Sequence, residues 1–368
     1  MIYLDHNATT PIKPDVIAEI TRVMEVGGNP SSVHGKGRAA KSILENARQT
    51  IAEHINCRPQ KIIFTGGGTE ANNIALKAAG FDHLILSVTE HDSISEIKKN
   101  FTGTIDWLPV DQNGLIAPEI LENAVKQAPE KTLVSIMLAN NETGVVQDIA
   151  ALSVIGHKRG AMFHTDAIQA FGKIPVDFRA LGVDMMSLSA HKMGGPQGVG
   201  ALVALEKIDI LSLITGGGQE SGRRAGTENL AGIAGFAKAA ELVPDNLSHM
   251  PRIKELRDHI ELSIKKHAPE AVFYGAGTDR LPNTSTILMP NVTSETQVMA
   301  FDLAGICVSA GSACSSGKVK PSHVVTAMGA NTEQALSTLR VSLGWNSSAQ
   351  DAEAFIAAWI KLYDRKKQ

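Results

Sequence analysis

The sequence predicts an α/β protein with a mainly parallel, mixed β-sheet flanked by helices, plus a smaller α+β domain. Short apolar runs recur between residues 61 and 205, and near-continuous apolarity is typical of strands buried on both faces of a sheet. Segments with helical patterns separate these runs, which is the rhythm of α/β proteins. The apolar runs are Ile62–Phe64, Leu84–Val88, Leu133–Leu138, Met162–Phe163, Met185–Leu188 and Ala201–Leu205.

Helices are expected between the runs, at Glu70–Ala79, Pro118–Gln127 and Ile149–Lys158. In such sheets ligands bind beyond the carboxyl ends of the strands, so polar residues that follow the runs are candidate site residues. After about residue 251 the pattern changes to that of an α+β domain. Its expected elements are a helix at Ile253–His267, a strand at Ser285–Leu288, a helix at Glu295–Leu303, a strand near Leu339–Leu343 and a last helix from about Ala349, with Asn346 and Ser347 as caps.

The domain organisation follows from this change of pattern. We expect a large domain over residues 15–250 and a small domain that combines residues 1–14 with residues 251–368. The small domain contains a Gly/Ser-rich loop at about residues 309–320.

Composition excludes several classes of function. A formal charge of −3 over 368 residues gives no basic surplus for binding nucleic acid or an acidic membrane. No secretory signal and no membrane-spanning apolar stretch is present, so a cytoplasmic protein is expected. The three cysteines, Cys57, Cys307 and Cys314, are too few for a disulfide framework, and no metal-ligand spacing occurs.

The strongest motif is Ser189-Ala190-His191-Lys192, directly after the run that ends at Leu188 and before a Gly-rich segment. A lysine that forms a Schiff base needs a fixed backbone and partial desolvation. The neighbouring hydroxyl of Ser189 and imidazole of His191 can contact phosphate oxygens. A surface lysine before a Gly-Pro turn is the simpler alternative, which this context disfavours.

A second motif places Asp166 and Gln169 after the run at Met162–Phe163. A buried carboxylate there can pair with a protonated pyridine nitrogen, and Gln169 can bond a ring hydroxyl. A helix N-cap is the alternative for Asp166 alone. Because Asp166 and Lys192 end successive strand units, we expect them to face one pocket.

Three weaker signals follow other strands. Thr65–Glu70 opens a helix with three glycines, where free N–H groups of residues such as Gly68 and Thr69 can bind phosphate, although a tight turn explains the motif equally well. His91 can stack on a ring or move protons, although a lone histidine is more often structural. Asn141 can reach a ligand, although turn formation alone would explain the Asn-Asn pair.

The last motif surrounds Cys314 with small residues, Ser309-Ala310-Gly311-Ser312-Ala313-Cys314-Ser315-Ser316-Gly317. This suits an accessible nucleophilic thiolate better than a packed core position. A buried, inert thiol is the alternative, and it fits Cys307 in its apolar run better than it fits Cys314.

Taken together, these motifs resemble the cysteine desulfurases, the NifS/IscS-like branch of the class V aminotransferase group among fold-type I pyridoxal-phosphate enzymes. The resemblance runs nearly end to end. It also covers Tyr3–Pro11, Gly28–Ser32 and Ser337–Ser342.

The resemblance implies a role for each site residue. Lys192 would carry pyridoxal 5'-phosphate, Asp166 would hold its ring nitrogen and Gln169 its ring oxygen, and His91 would stack on the ring. The phosphate would be held by Gly68, Thr69, Ser189 and His191, and also by Thr227 from the other subunit of a homodimer with shared active sites. Asn141 would contact cofactor or substrate, and Arg340 would bind the substrate carboxylate.

The implied reaction converts L-cysteine to L-alanine. Lys192, or His91, would act as the base, and Cys314 would take the sulfur as a persulfide. The persulfide would pass to a sulfur-acceptor or scaffold protein for iron–sulfur cluster assembly.

Other readings remain. A selenocysteine lyase, or another pyridoxal-phosphate lyase or aminotransferase, would not need the thiol of Cys314. A catalytically silent partner protein with this fold would not need the set of Lys192, Asp166, His91 and Cys314. A nucleotide-binding module based on residues 66–68 lacks magnesium and ribose ligands.

Overall fold

A computed structural model describes residues 1–77, 79–311 and 320–367 of the chain. The strands are β1 (Ile2–Tyr3), β2 (Ile62–Thr65), β3 (His83–Ser87), β4 (Thr104–Leu108), β5 (Thr132–Ser135), β6 (Met162–Asp166), β7 (Met185–Ser189), β8 (Gly200–Ala204), β9 (Val272–Tyr274), β10 (Thr284–Leu288), β11 (Ile306–Cys307), β12 (Ser309–Ala310) and β13 (Thr338–Ser342). The helices are α1 (Pro14–Val26), α2 (Gly35–His54), α3 (Gly68–Lys77), α4 (Asp92–Ser95), α5 (Pro118–Lys126), α6 (Ile149–His157), α7 (Phe178–Leu181), α8 (Leu230–Glu241), α9 (Val243–His267), α10 (Ser294–Leu303), α11 (His323–Ala327), α12 (Thr332–Leu336) and α13 (Ala349–Lys367).

The larger sheet has the strand order β2-β8-β7-β6-β5-β3-β4. The neighbours from β7 to β4 are parallel, whereas β8 runs antiparallel to both β7 and β2. This is the mainly parallel, mixed sheet that the sequence predicts, and each of the six predicted strands is present.

Burial on both faces explains the continuous apolar runs. Within β3, Leu84 and Leu86 belong to one hydrophobic cluster, which contains α3, while Ile85 belongs to the cluster on the opposite side of the sheet. Successive strand side chains point to opposite faces, so a strand covered on both faces carries apolar residues at successive positions, as Leu84, Ile85 and Leu86 do here.

Two further sheets are built from the first and the last parts of the chain. A four-stranded sheet has the order β12-β13-β10-β9 with antiparallel neighbours, and in a separate two-stranded sheet β1 pairs in parallel with β11. Helix α13 covers a separate core through Phe355 and Trp359, and Phe355 stacks on Phe301 at 5.0 Å between ring centroids. The domain division stays a prediction, since α9 runs across residue 251.

Two local expectations were wrong. The helix expected from Ile253 begins ten residues earlier, at Val243, and continues through Pro251. Proline removes one helical hydrogen bond, but α9 packs along α13 and buries Ile253 and Ile260, which holds the helix together. The last helix is capped by Ser348 rather than by Asn346 or Ser347: the N–H of Ser348 donates to Asp351 at 2.8 Å, and the N–H of Asp351 donates to the Ser348 hydroxyl at 3.2 Å.

Across the described ranges, none of the helices has the length and apolar character needed to span a membrane. The same residues contain no group of His, Cys, Asp or Glu side chains that could hold a metal ion.

Candidate active site

The polar residues at the ends of β6 and β7 meet at one cavity of about 380 Å³. Asp166 is the last residue of β6, and Lys192 follows β7 in a short 3-10 turn. Because these strands are parallel neighbours, both residues face the same edge of the sheet. The predicted site residues that line the cavity are Gly68, Thr69, His91, Asn141, Asp166, Gln169, Ser189, His191, Lys192 and Arg340.

Asp166 is a buried carboxylate held by two N–H donors. Its Oδ2 accepts a hydrogen bond from Asn72 Nδ2 at 2.8 Å, and its Oδ1 accepts one from the N–H of Ile168 at 2.9 Å. Burial raises the pKa of Asp166, and the donors from Asn72 and Ile168 oppose that rise. A cation in the cavity would find here a carboxylate that is already oriented.

Asn72 also connects Asp166 to His91. The amide of Asn72 donates to Ser93 Oγ at 2.9 Å, and the N–H of Ser93 donates to His91 Nδ1 at 3.0 Å. A backbone N–H can only donate, so Nδ1 of His91 is an acceptor and the proton of the neutral ring lies on Nε2. We assigned no role to Asn72 from the sequence, because an asparagine in the first turns of a helix carries no local signal.

The Lys192 amine lies against the chain segment that follows β1. Its Nζ donates to the carbonyl oxygens of Asn7 at 2.6 Å and Ala8 at 2.8 Å. Burial, and then the nearby Arg340 guanidinium, lower the pKa of Lys192 to about 8, although Asp166 acts in the opposite direction. About a tenth of the amine is therefore neutral at pH 7 and about a quarter at pH 7.5, far more than for an ordinary lysine.

One end of the cavity presents groups that suit an anion. The Ser189 hydroxyl is buried and has no hydrogen-bond partner among the described residues. Gly68 opens α3 against Ile168, where a Cβ would lie only 2.2 Å from the end of the Ile168 side chain, so a larger residue would have to displace that side chain. His191 contacts Thr9 Oγ1 at 3.1 Å, and burial lowers the pKa of His191 to about 4, so its ring is neutral.

At the opposite side, Arg340 projects from β13 into the cavity. It donates to Asp5 Oδ1 at 2.8 Å and to the Asn141 carbonyl at 3.1 Å. Its buried Nε has no partner within the described part of the chain. Asp5 also accepts from Ser309 Oγ at 2.8 Å, so one carboxylate joins the first and the last parts of the chain at this site.

Of the predicted site residues that the structure describes, Thr227 does not line the cavity. Thr227 is exposed and is not one of the lining residues. Its segment is anchored by Glu220, which accepts two hydrogen bonds of 2.8 Å from the buried Arg48 and one of 3.0 Å from the N–H of Phe64. Cys314 lies outside the described residues.

The comparisons with known proteins agree with this architecture. The chain matches the class-V aminotransferase family over residues 2–355. It is 40% identical to the cysteine desulfurase IscS of Dictyoglomus turgidum, over 95% of this chain and 91% of that protein, and 41% identical to a cysteine desulfurase of Cereibacter sphaeroides, over 95% and 92%. An X-ray structure of a NifS-like protein from Rickettsia africae matches with a TM-score of 0.93 and 41% identity over 99% of each chain.

Proposed function

Because this chain belongs to the class-V aminotransferase family, and within it to the pyridoxal-phosphate-dependent cysteine desulfurases, we propose that it transfers sulfur from L-cysteine through Cys314 to an acceptor protein for iron–sulfur cluster assembly. The family and the α/β fold confirm the resemblance drawn from the sequence. The roles of the individual residues below are part of the proposal.

The observation that carries the proposal is that Asp166 and Lys192 line the same cavity. The residues fit pyridoxal phosphate in three respects. Asp166 offers a buried carboxylate for the ring nitrogen, and Lys192 offers an amine of lowered pKa for the aldehyde. For the phosphate, Ser189 offers a buried hydroxyl that has no hydrogen-bond partner among the described residues.

Pyridoxal phosphate, when bound, withdraws electrons from the substrate and so allows the proton on Cα to leave. In the proposal Lys192 accepts and returns that proton, and His91 is the alternative base. The Asn7 and Ala8 carbonyls supply a place for its amine when it is released from the cofactor. The free donors of Arg340 orient the substrate carboxylate, and Asn72 keeps Asp166 oriented toward the ring nitrogen.

Sulfur transfer requires a second nucleophile. The thiolate of Cys314 would attack the substrate sulfur, so that an S–S bond forms as the Cβ–S bond breaks. The remaining three-carbon fragment gains a proton and leaves as alanine, while Cys314 keeps the sulfur as a persulfide. A reductant or an acceptor thiol then removes that sulfur, which restores the thiol.

A shared active site is also part of the proposal. Thr227 is exposed and does not line the cavity of its own chain, which favours a role at the site of a second copy. Arg224, on the same segment, pairs with Glu70 at 2.9 Å, and Glu70 accepts from the N–H of Gly66 at 2.7 Å. The segment that would cross to the partner is thus tied to the start of α3.

The direct test supplies the purified protein, loaded with pyridoxal phosphate, with L-cysteine and a reductant. We expect alanine and sulfide in equal amounts, because each turnover releases one of each. Protein freed of the cofactor is the control and should form neither product. Alanine from L-selenocysteine but none from L-cysteine would overturn the proposal in favour of a selenocysteine lyase.

The lowered pKa of Lys192 predicts how cofactor loading depends on pH. The neutral amine attacks the aldehyde, so with a pKa of about 8 the loading rate should rise roughly fivefold from pH 7 to pH 8 and level off above about pH 9. Stopped-flow absorbance of the apoprotein mixed with pyridoxal phosphate measures this rate. Nα-acetyl-lysine, which keeps a free side-chain amine of ordinary pKa, is the control. Its reaction rate should rise about tenfold per pH unit up to about pH 10. The same climb in the protein would contradict the prediction.

A further inference from the structure

Lys173 is a second lysine next to the active site, buried and not absorbed by the mechanism. It lies four residues after Gln169, beyond the end of β6. Its Nζ donates to Gln169 Oε1 at 2.6 Å and to Asn7 Oδ1 at 2.8 Å. Neither partner is charged, and no carboxylate of the described residues forms an ion pair with it. A buried amine held only by two amide oxygens is costly for stability, which calls for a functional reason.

The contacts of Lys173 determine how the Gln169 amide is oriented. Nε2 of Gln169 donates to the Asn7 carbonyl at 2.9 Å, and a backbone carbonyl can only accept. The atom of Gln169 that faces Lys173 is therefore the oxygen Oε1, to which the Lys173 amine donates. Both contacts belong to the same one of the two amide orientations, the one with the NH₂ group of Gln169 on the side of the Asn7 carbonyl.

Asn7 extends the same network to Lys192. Its carbonyl accepts from Gln169 and from Lys192, while its side-chain Oδ1 accepts from Lys173 and from Asn283 at 3.1 Å. Its Nδ2 donates to Thr284 Oγ1 at 2.9 Å. The oxygen and the NH₂ group of the Asn7 side chain are therefore both hydrogen-bonded, which fixes the side chain of Asn7 in one orientation. Lys173 thus contacts Gln169 and a second residue that is itself held in place.

We propose that Lys173 is a positioning residue, which fixes the Gln169 amide so that its NH₂ group is preset as the donor to a ligand oxygen in the cavity. The inference rests on the proposed function, in which Gln169 holds the ring oxygen of the cofactor. Lys173 itself touches neither cofactor nor substrate. It acts by removing the second amide orientation, in which Oε1 would repel that oxygen.

The test measures the dissociation constant of pyridoxal phosphate for the apoprotein, by titration, in a double-mutant cycle of Lys173→Met and Gln169→Ala. Methionine keeps the length and volume of the side chain but cannot donate. We expect Lys173→Met alone to raise the dissociation constant about tenfold, which is the effect of losing one hydrogen bond to a charged group, here the bond from the Gln169 amide to the ring oxygen of the cofactor. In the Gln169→Ala background the same change should have an effect of less than about twofold, because the group that Lys173 orients is gone.

Lys13→Met is the matched control. Lys13 is also buried and hydrogen-bonded to an amide, that of Asn246, but it does not contact Gln169 or Asn7. It should leave the dissociation constant unchanged within about twofold. The free energy of unfolding of each apoprotein, measured in urea, shows whether a variant binds the cofactor less tightly because it is less stable or because the Gln169 amide is no longer oriented. If Lys173→Met does not fold, Lys173→Leu, which is shorter and likewise cannot donate, enters the cycle with the same expected non-additivity.

Equal losses in both backgrounds would overturn the inference, since Lys173 would then act independently of Gln169. No loss from Lys173→Met would overturn it as well. A wild-type protein that fails to bind pyridoxal phosphate at all would instead overturn the proposed function, and the inference with it.

Discussion

Replacing Lys192 with alanine should lower the rate of alanine formation from L-cysteine by at least about 10⁴-fold. Lys192 has two roles in the proposal: it attaches the cofactor and it moves the proton at the substrate Cα. Its Nζ has two carbonyl partners and a pKa lowered to about 8, so the group that is lost is already tuned for both roles. Lys173 does not replace it, because the amine of Lys173 is directed to Gln169 and Asn7.

Reduction with borohydride gives a readout that does not depend on turnover. The wild-type protein, loaded and reduced, should carry the cofactor mass on the peptide that contains Lys192, and Lys192→Ala should carry none. Lys158→Ala, a change at the end of α6, is the control and should retain both the label and the activity. A label on Lys173 or on another lysine of the wild type would contradict the assignment.

Changing Cys314 to serine should reduce sulfide release by at least about 10³-fold while cofactor binding stays unchanged. Serine keeps the size of the side chain, but its hydroxyl cannot accept the sulfur atom as a persulfide. The measurement pairs sulfide release with the visible spectrum of the loaded protein, so that loss of the nucleophile is distinguished from loss of the cofactor. Full sulfide release by Cys314→Ser would instead favour a lyase that needs no protein thiol.

The other cysteines provide the controls for this experiment. Cys57 is partly buried, and burial raises the pKa of its thiol to about 11, so little thiolate exists near neutral pH. Cys307 is also partly buried, in β11, where it pairs with Tyr3 of β1. We expect Cys57→Ser and Cys307→Ser to keep sulfide release within about twofold of the wild type.

The sequence predicts the centre of the large sheet well because every strand there is apolar on both faces. It does not predict β4, since this strand lies at the edge of the sheet and exposes Thr104, Asp106 and Trp107. The start of α9 is wrong in the prediction for the opposite reason: Pro251, a local helix breaker, is overridden by packing that only the fold reveals.

The site residues likewise divide into those that the sequence predicts and those that only the structure reveals. Asp166 and Lys192 can be found from sequence because each directly follows an apolar strand, and parallel neighbours end at the same edge. Asn7, Asn72 and Lys173 have no such signal. Their importance comes from hydrogen bonds between residues that lie far apart in the chain, such as the one between Asn7 and Thr284.

The position of β1 has a consequence for the time at which the active site can form. Ile2 pairs with Ile306, Asp5 contacts Arg340, and the carbonyls of Asn7 and Ala8 hold the Lys192 amine. During synthesis on the ribosome, this early segment must wait for Ile306 and Arg340, which are made more than three hundred residues later. The large sheet can be assembled before then, but the cavity is complete only when β13 has been released, so stable capture of the cofactor is expected as a late, post-translational step.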